Sequence, residues 1–289
     1  MIMFNGFALN NIKNAYVGST PAQAIYLGST LIWPTTPSEH DYSKDYFTIV
    51  SLEDNNVIYF GVKDKAYAKT ISVSTDNGNT WTDYTSSEPW NDSLVFGTSI
   101  ASLNTGEKIL IKGNNTKYGS SFISEQNNYF SSEKRFNVEG NIMSLIYGDN
   151  FIGQTILPDE SYIFARLFDQ ISATNLHKNT IVSAENLILP PTLRTGCYSY
   201  MFYLCILLTT APTLPATTLV TNCYESMFNG CSSLNYVKCL ASETESGSHD
   251  QTNNWLLDVS SSGTFIKDAN TTWPSGESGI PSGWTIQNA

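Results

Sequence analysis

Short, largely apolar runs between polar turns in the first half of the chain predict a series of short β-strands. These runs are rich in β-branched and aromatic side chains, and turns with Asn, Asp or Gly separate them. They lie at residues 46–52, 57–62, 70–74, 94–102 and 108–112. Short strands at this spacing are typical of two packed antiparallel sheets. The sequence therefore predicts a β-sandwich-like domain over residues 38–140.

Residues 74–81 (STDNGNTW) give the strongest turn signal of this domain. The pair Asn77-Gly78 favours a tight hairpin, because both residues accept positive φ. The octapeptide also fits the Asp-box pattern, in which the Asp braces the turn and the Trp packs in the core. Asp-boxes occur in sialidases and other propellers, which need several copies and a cluster of arginines. The chain has one copy and three arginines, so we interpret the motif as a structural turn with Trp81 in the core.

The first 37 residues contain a short internal repeat. Residues 16–20 (YVGST) recur as residues 26–30 (YLGST), and each copy alternates apolar and small polar positions around a glycine. This pattern predicts a pair of short strands in a hairpin or a small β-module. Pro34 and Pro37 favour extended backbone and place a domain boundary after residue 37. A two-stranded ribbon is marginal alone, so its apolar face either packs on the next domain or docks on another chain.

Residues 141–289 contain a longer repeat, which is the most specific pattern in the chain. Residues 197–205 (CYSYMFYLC) and 223–231 (CYESMFNGC) share Cys, Tyr, Met, Phe and Cys with a shift of 26 positions. A Leu-Pro segment precedes each block, and residues 164–168 (FARLF) form a degenerate earlier copy. This period predicts a short leucine-rich-repeat solenoid, in which each turn adds one strand and one short helical or irregular segment. We expect residues 240–289 to form a C-terminal cap.

Cysteines and aromatic residues at equal repeat positions predict a stacked core. Cys197 aligns with Cys223, and Cys205 aligns with Cys231, so we expect buried thiols in equivalent rungs. The spacing does not fit a zinc site, and disulfides between turns are the alternative. The aligned pair Tyr198 and Tyr224 is likewise expected in the core. In contrast, Trp90 lies in a loop and is the better candidate for an exposed aromatic residue.

Composition limits the possible partners. The 289 residues include 34 Ser, 30 Thr and 27 Asn, and 41% hydrophobic residues supply enough material for a core. The 15 basic and 26 acidic residues give a net charge of -11, which disfavours nucleic acid and anionic membranes as partners. No apolar run approaches the ~20 residues of a bilayer span, and residues 1–14 lack the pattern of a secretory signal. We therefore expect no nucleic-acid partner and no membrane insertion.

Motifs of catalysis are missing from the sequence. It contains no Gly-x-Ser-x-Gly, no His-Glu-x-x-His, no P-loop and no Gly-x-Gly-x-x-Gly. His40, His177 and His249 lie in polar, turn-like stretches with no shared spacing, which is typical of solvated loop residues. The sequence thus predicts no catalytic, metal-binding or cofactor-binding residues, no cofactor and no enzyme. A carbohydrate-active enzyme is the weakest hypothesis, because sequence alone cannot place two carboxylates across a sugar.

Two resemblances add to this interpretation. The unit LPATTL followed by Cys-Tyr-x-x-Met-Phe-x-x-Cys-x-x-Leu resembles the BspA-like leucine-rich repeats of gut bacterial surface proteins and their phages. Residues 140–151, 262–265 and 278–285 are similar to the lead-in and the ending of such proteins, so this resemblance covers about residues 107–289. Residues 24–33 (AIYLGSTLIW) are similar to a short N-terminal module of phage virion proteins.

Together the resemblances imply a structural protein of a bacteriophage virion. A phage releases its particles by lysis, so such a protein needs no export signal. They imply a head or tail fibre or decoration subunit on the particle surface, which is in the host cytoplasm during assembly. We expect residues 1–37 to dock on other virion proteins, and the chain to form a homo-oligomer that contacts a host-surface glycan or protein. The alternative is a bacterial cell-surface leucine-rich-repeat adhesin whose export signal this chain lacks.

Overall fold

The computed structural model divides the chain into two units, Met1–Tyr42 and Ser43–Ala289. Both units are mainly β. The structure describes residues 44–87, 97–120, 127–169, 180–242 and 250–289 in full, and only the backbone of six short strands before residue 34.

Within its described residues, the first unit contains three antiparallel pairs of strands. The strands are β1 (Met3–Phe4) with β2 (Phe7–Ala8), β3 (Tyr16–Val17) with β4 (Thr20–Pro21), and β5 (Ile25–Leu27) with β6 (Thr30–Trp33). Val17 pairs with Thr20 and Leu27 pairs with Thr30, so each copy of the five-residue repeat contributes to both strands of its own pair. Of the two alternatives that the sequence left open, one hairpin built from both copies was therefore wrong, whereas a small β-module agrees with these strand pairs. The error of the hairpin interpretation was to assign one strand to a segment that turns back on itself.

The second unit contains the remaining strands and one short helix. The strands are β7 (Phe47–Ser51), β8 (Asn56–Val62), β9 (Thr70–Ser74), β10 (Thr82–Thr85), β11 (Thr98–Leu103), β12 (Lys108–Gly113), β13 (Asn128–Ser132), β14 (Phe136–Asn141), β15 (Ile181–Ser183), β16 (Leu187–Ile188), β17 (Tyr236–Cys239), β18 (Gly263–Lys267) and β19 (Trp284–Asn288). Helix α1 spans Ser144–Tyr147, and single 3₁₀ turns span Lys65–Tyr67 and Gly148–Asn150.

Two sheets form the first half of this unit. One has the order β10-β9-β12-β7-β14-β15, with β16 also paired to β14, and the other has the order β11-β8-β13. The predicted strands at 46–52, 57–62, 70–74 and 108–112 are confirmed to within two residues. The fifth, predicted at 94–102, is found as Thr98–Leu103, and its residues 94–96 lie outside the described residues. Phe47 of β7 and Phe130 of β13 join the sheets, with ring centroids 5.4 Å apart.

Strand β14 connects these sheets to the repeats. It pairs antiparallel with β7 on one edge and parallel with β15 and β16 on the other. The domain boundary expected at residues 140/141 therefore falls at the end of a strand that both segments share. Since the apolar side chains on both sides also belong to one continuous core, residues 43–289 form one unit.

The strands of the repeats stack in parallel. Ser183 pairs with Thr210, and Thr210 pairs with Tyr236. The ladder continues from Tyr236 to Thr264 and from Thr264 to Thr285. One parallel ladder thus runs from β15 to β19.

Candidate functional site

Opposite this ladder, the repeated blocks form consecutive chain turns that hydrogen-bond to one another. In each, a backbone N–H at the same repeat position donates to a carbonyl of the next block. The bonds run from Phe164 to Cys197 (2.9 Å), from Tyr198 to Cys223 (3.1 Å) and from Tyr224 to Gln251 (2.9 Å). The last bond reaches the segment expected to be a cap, so residues 250–258 add a fourth copy of the backbone pattern. Sequence reasoning missed it because this copy lacks the Cys and Tyr of the others.

Left-handed backbone recurs at every fourth residue of these blocks. The positions with positive φ are Tyr162 and Arg166, then Gly196, Tyr200 and Leu204, then Asn222, Ser226 and Gly230, then Asn254 and Asp258. Between them the backbone makes i to i−3 hydrogen bonds, such as the one from Met201 to Tyr198 at 3.1 Å. Each block is therefore a series of tight turns and not a helix. Only two of these positions are glycine, so composition gives no signal for them.

Aromatic side chains of successive blocks stack in two columns through the core. The first column comprises Tyr118, Phe164, Tyr198, Tyr224, Trp255 and Trp273, with neighbouring ring centroids 5.0–6.2 Å apart. The second includes Phe168, Phe202 and Phe228, with centroids 5.1 and 5.6 Å apart. The expected core positions of Tyr198 and Tyr224 are confirmed, since both are fully buried. Their hydroxyl groups have no hydrogen-bond partner among the described residues.

All five cysteines are buried, and none of them is part of a disulfide. The Sγ of Cys231 donates to the carbonyl of Phe202 at 3.0 Å, and the Sγ of Cys205 lies 3.8 Å from the carbonyl of Phe168. Burial raises the pKa of the Cys197 thiol well above its ordinary value. The prediction of buried thiols at equivalent positions is confirmed, and the structure contains no disulfide between turns.

The Asp-box forms the hairpin that the sequence predicts. Asp76 accepts hydrogen bonds from the hydroxyl of Thr80 (2.7 Å), the backbone N–H of Thr80 (2.9 Å) and the hydroxyl of Ser74 (2.7 Å). These bonds, led by the Thr80 hydroxyl, lower the pKa of Asp76 to about 2. Asn77 and Gly78 both have positive φ, as expected for the turn between β9 and β10.

The position of Trp81 differs from the prediction. The side chain of Trp81 is only partly buried. The centroid of its ring lies 4.9 Å from the ring centroid of Tyr46 and 4.0 Å from the Nζ of Lys112. The hairpin that carries Trp81 forms the edge of the sheet, so the ring covers neighbouring side chains instead of entering the core. The Nζ of Lys112 and the hydroxyl of Tyr46 also donate hydrogen bonds to the carboxylate of Asp149, at 2.8 and 2.7 Å. The polar groups around Trp81 thus satisfy one another.

The three arginines are separated, each beside its own carboxylate. Arg166 forms a buried ion pair with Asp169 and stacks over the ring of Tyr200. Arg135 pairs with Glu53 at 2.7 Å. The third, Arg194, lies 3.8 Å from Asp159. The arrangement supports the interpretation of the Asp-box as a structural turn, because a carboxylate-binding pocket would need clustered arginines.

A cleft lies between the Asp-box turn and the hairpin that joins β11 to β12. It has a volume of about 560 Å³. Its lining residues are Thr75, Asp76, Asn77, Ser102, Leu103, Gly106, Glu107, Lys108 and Leu110. The sequence gives no signal for it, because Asn77 and Glu107 come together only through the pairing of β9 with β12.

The described residues contain neither a group of metal ligands nor a membrane-spanning helix. In that part of the chain, no three His, Cys, Asp or Glu side chains gather as metal ligands, and no helix has the length and apolar character needed to cross a membrane. His40, His177, His249 and Trp90 lie outside the described residues.

No known protein family, curated protein or solved structure matches the chain.

Proposed function

We propose that this chain is a structural subunit of a bacteriophage virion, a fibre or decoration protein of the head or tail. In this proposal it has no catalytic role, and it displays a rigid body on the particle surface. Residues 1–37 dock on other virion proteins, and the copies form a homo-oligomer. The sequence resemblances of residues 24–33 and of the repeats are the basis of the assignment.

The repeats of this body form a short leucine-rich-repeat solenoid. The parallel ladder from β15 to β19 and the hydrogen bonds between blocks support this assignment. The C-terminal cap expected over residues 240–289 covers its last turn with residues 273–280. In support of a cap, Trp273 stacks on Trp255 with centroids 5.0 Å apart, and the Nε1 of Trp255 donates to the carbonyl of Gly279 at 2.8 Å.

Beside these resemblances, the structural observation that supports the proposal is the division of the chain into a small unit and a large one. Met1–Tyr42 is a unit of its own, which supports a separate docking module, and Ser43–Ala289 is a second unit with one continuous core. A body with one continuous core suits presentation of a fixed surface to a host glycan or protein. Repetition of such a surface over many subunits would compensate for weak single contacts.

The alternative is a bacterial cell-surface adhesin with the same repeats. Mass spectrometry of purified phage particles and of washed host-cell surfaces separates the two. We expect the chain in stoichiometric amount in particles, with its N-terminal peptide intact. Detection only on cells would overturn the virion assignment.

A second arm tests the docking module. Deletion of residues 1–37 should abolish incorporation into particles, while the circular dichroism and unfolding transition of residues 43–289 stay unchanged. Incorporation of the truncated chain at the normal level would refute docking through this module.

A further inference from the structure

The cleft beside the Asp-box has the size of a small-ligand site. Its volume of about 560 Å³ lies within the range of roughly 300–1,000 Å³ that such sites occupy. Leu103 and Leu110 form its floor, and both are almost fully buried. Polar side chains of the two turns form its walls. The cleft therefore combines an apolar base with a polar rim.

Both walls are held by hydrogen bonds before any ligand arrives. On one side, Asp76 is fixed by Ser74 and Thr80, as described above. On the other, Glu107 accepts a hydrogen bond from the backbone N–H of Asn104 at 2.8 Å. The N–H of Gly106 in the same turn donates to the carbonyl of Ser51 at 2.9 Å. Because these walls are already ordered, a ligand would lose little free energy in ordering them.

The chemistry of the walls selects the class of ligand. Carboxylates of Asp76 and Glu107 accept hydrogen bonds, the hydroxyl of Ser102 donates and accepts, and the amide of Asn77 does both. The ammonium group of Lys108 lies 4.0 Å from Glu139 and is partly neutralised by it. The cleft thus has two carboxylates and one ammonium group, which Glu139 also attracts. This excess of negative charge disfavours binding of an anionic ligand.

We propose that this cleft binds a neutral saccharide. Sugar hydroxyls donate to carboxylates and accept from amides and hydroxyls, and the C–H face of a sugar ring packs on an apolar floor such as that of Leu103 and Leu110. No aromatic ring lines the cleft among the described residues, so each site binds weakly and needs repetition for useful avidity. The inference rests on the proposed display function and deepens it by naming the ligand class.

The test is an NMR chemical-shift titration of the full chain with glucose, galactose and N-acetylglucosamine, with glucuronate as the anionic comparator. We expect at least one neutral sugar to shift the resonances of the cleft residues and to bind more tightly than glucuronate. Absence of binding by all three neutral sugars, or tighter binding of glucuronate, would overturn the proposal.

Two variants and a control locate the binding. Ser102→Trp fills the cleft and should weaken binding at least tenfold, whereas Ser99→Trp, at another exposed serine of β11, should leave it unchanged. Asn77→Gly keeps the positive φ and removes the amide, which should weaken binding about fivefold, the equivalent of one hydrogen bond. Equal affinity in all three variants would contradict the site. Because binding is measured on the purified chain, its failure is distinct from failure to find the chain in particles.

Discussion

The ring centroids of Phe130 and Phe168 lie 6.3 Å apart, although the domain boundary predicted from the sequence at residue 140 lies between the two residues. The backbone N–H of Phe130 donates to the carbonyl of Leu167 at 3.0 Å. This bond has the same form as the bond of 3.0 Å from Phe168 to Met201 one block later. Strand β13 therefore takes the place of a preceding repeat, and the repeats are built directly on the sheets.

This relationship predicts that neither segment folds alone. A fragment of residues 43–140 would expose Phe130 and Tyr118, and a fragment of residues 141–289 would lose the surface on which its first block stacks. We expect both fragments to show no cooperative urea transition, while residues 43–289 unfold in a single one. Coincident curves from circular dichroism and tryptophan fluorescence check the single transition. A cooperative transition in either fragment would contradict the shared core.

The positions of the strands could be predicted from the sequence far better than their pairing into sheets. Alternation of apolar and polar residues in 70–74 reports which face of β9 is buried, and the apolar run 109–111 is typical of a central strand buried on both faces, so both strands were predictable. The position of β14 between β7 and β15 was not, because its pairing partners lie at very different distances along the chain. The alternation of apolar and polar residues along a strand does not indicate which strands pair with its two edges.

The turns of the repeats show a second limit. Left-handed backbone at Tyr200, Leu204 and Ser226 is imposed by the stacking of blocks, and these residue types do not favour it locally. The cleft is harder still to foresee, since its two walls come from distant turns. In contrast, the buried thiols were predictable because equal phases of a repeat must occupy equal environments.

Two buried tyrosine hydroxyls should be dispensable for stability. The hydroxyls of Tyr198 and Tyr224 are fully buried without a hydrogen-bond partner among the described residues, which costs about 1–3 kcal/mol for each group. Tyr198→Phe and Tyr224→Phe should therefore raise the free energy of unfolding by about 1 kcal/mol each. Urea denaturation measures this change.

A matched control for these variants is Tyr118→Phe. The hydroxyl of Tyr118 donates to the carbonyl of Leu145 at 2.8 Å and lies 2.9 Å from the amide of Asn115. Its removal takes a donor from the carbonyl of Leu145, while the amide of Asn115 keeps its bond of 2.8 Å to the carbonyl of Thr70. The free energy of unfolding should fall by about 1–2 kcal/mol. Equal losses in all three variants would show that the hydroxyls of Tyr198 and Tyr224 also have partners.

The Asp-box should make stability depend on pH in acid. The pKa of Asp76 is about 2 in the folded chain, against about 3.9 in an unfolded one, so its ionised form favours the folded state. This contribution is complete above about pH 4 and is lost as the pH falls towards about 2. We expect the melting temperature to fall more steeply across this window in the wild-type chain than in Asp76→Asn. Parallel falls would refute the role of the carboxylate.

A close backbone approach should make Gly140 sensitive to substitution. Its φ is +77°, and a Cβ there would lie 2.0 Å from the carbonyl oxygen of Tyr46, which the packed ring of Tyr46 holds in place. The control is Gly106, which has a φ of +81° and no atom within 4 Å of such a Cβ. Gly106→Ala should cost only the left-handed strain of about 1–2 kcal/mol, and Gly140→Ala should cost clearly more. Similar urea midpoints for the two variants would contradict the steric argument.

The five thiols should react only when the body unfolds. All five are buried, so a reagent has no access to them in the folded state, and burial also raises the pKa of the Cys197 thiol. We expect no labelling by iodoacetamide in native buffer and five labels per chain in denaturant, read by intact mass. Because the cysteines lie in several blocks of one core, all five should become reactive at the same urea concentration. Early labelling of one subset would show that its block opens before the rest, and a mass lower by two hydrogens would reveal a disulfide.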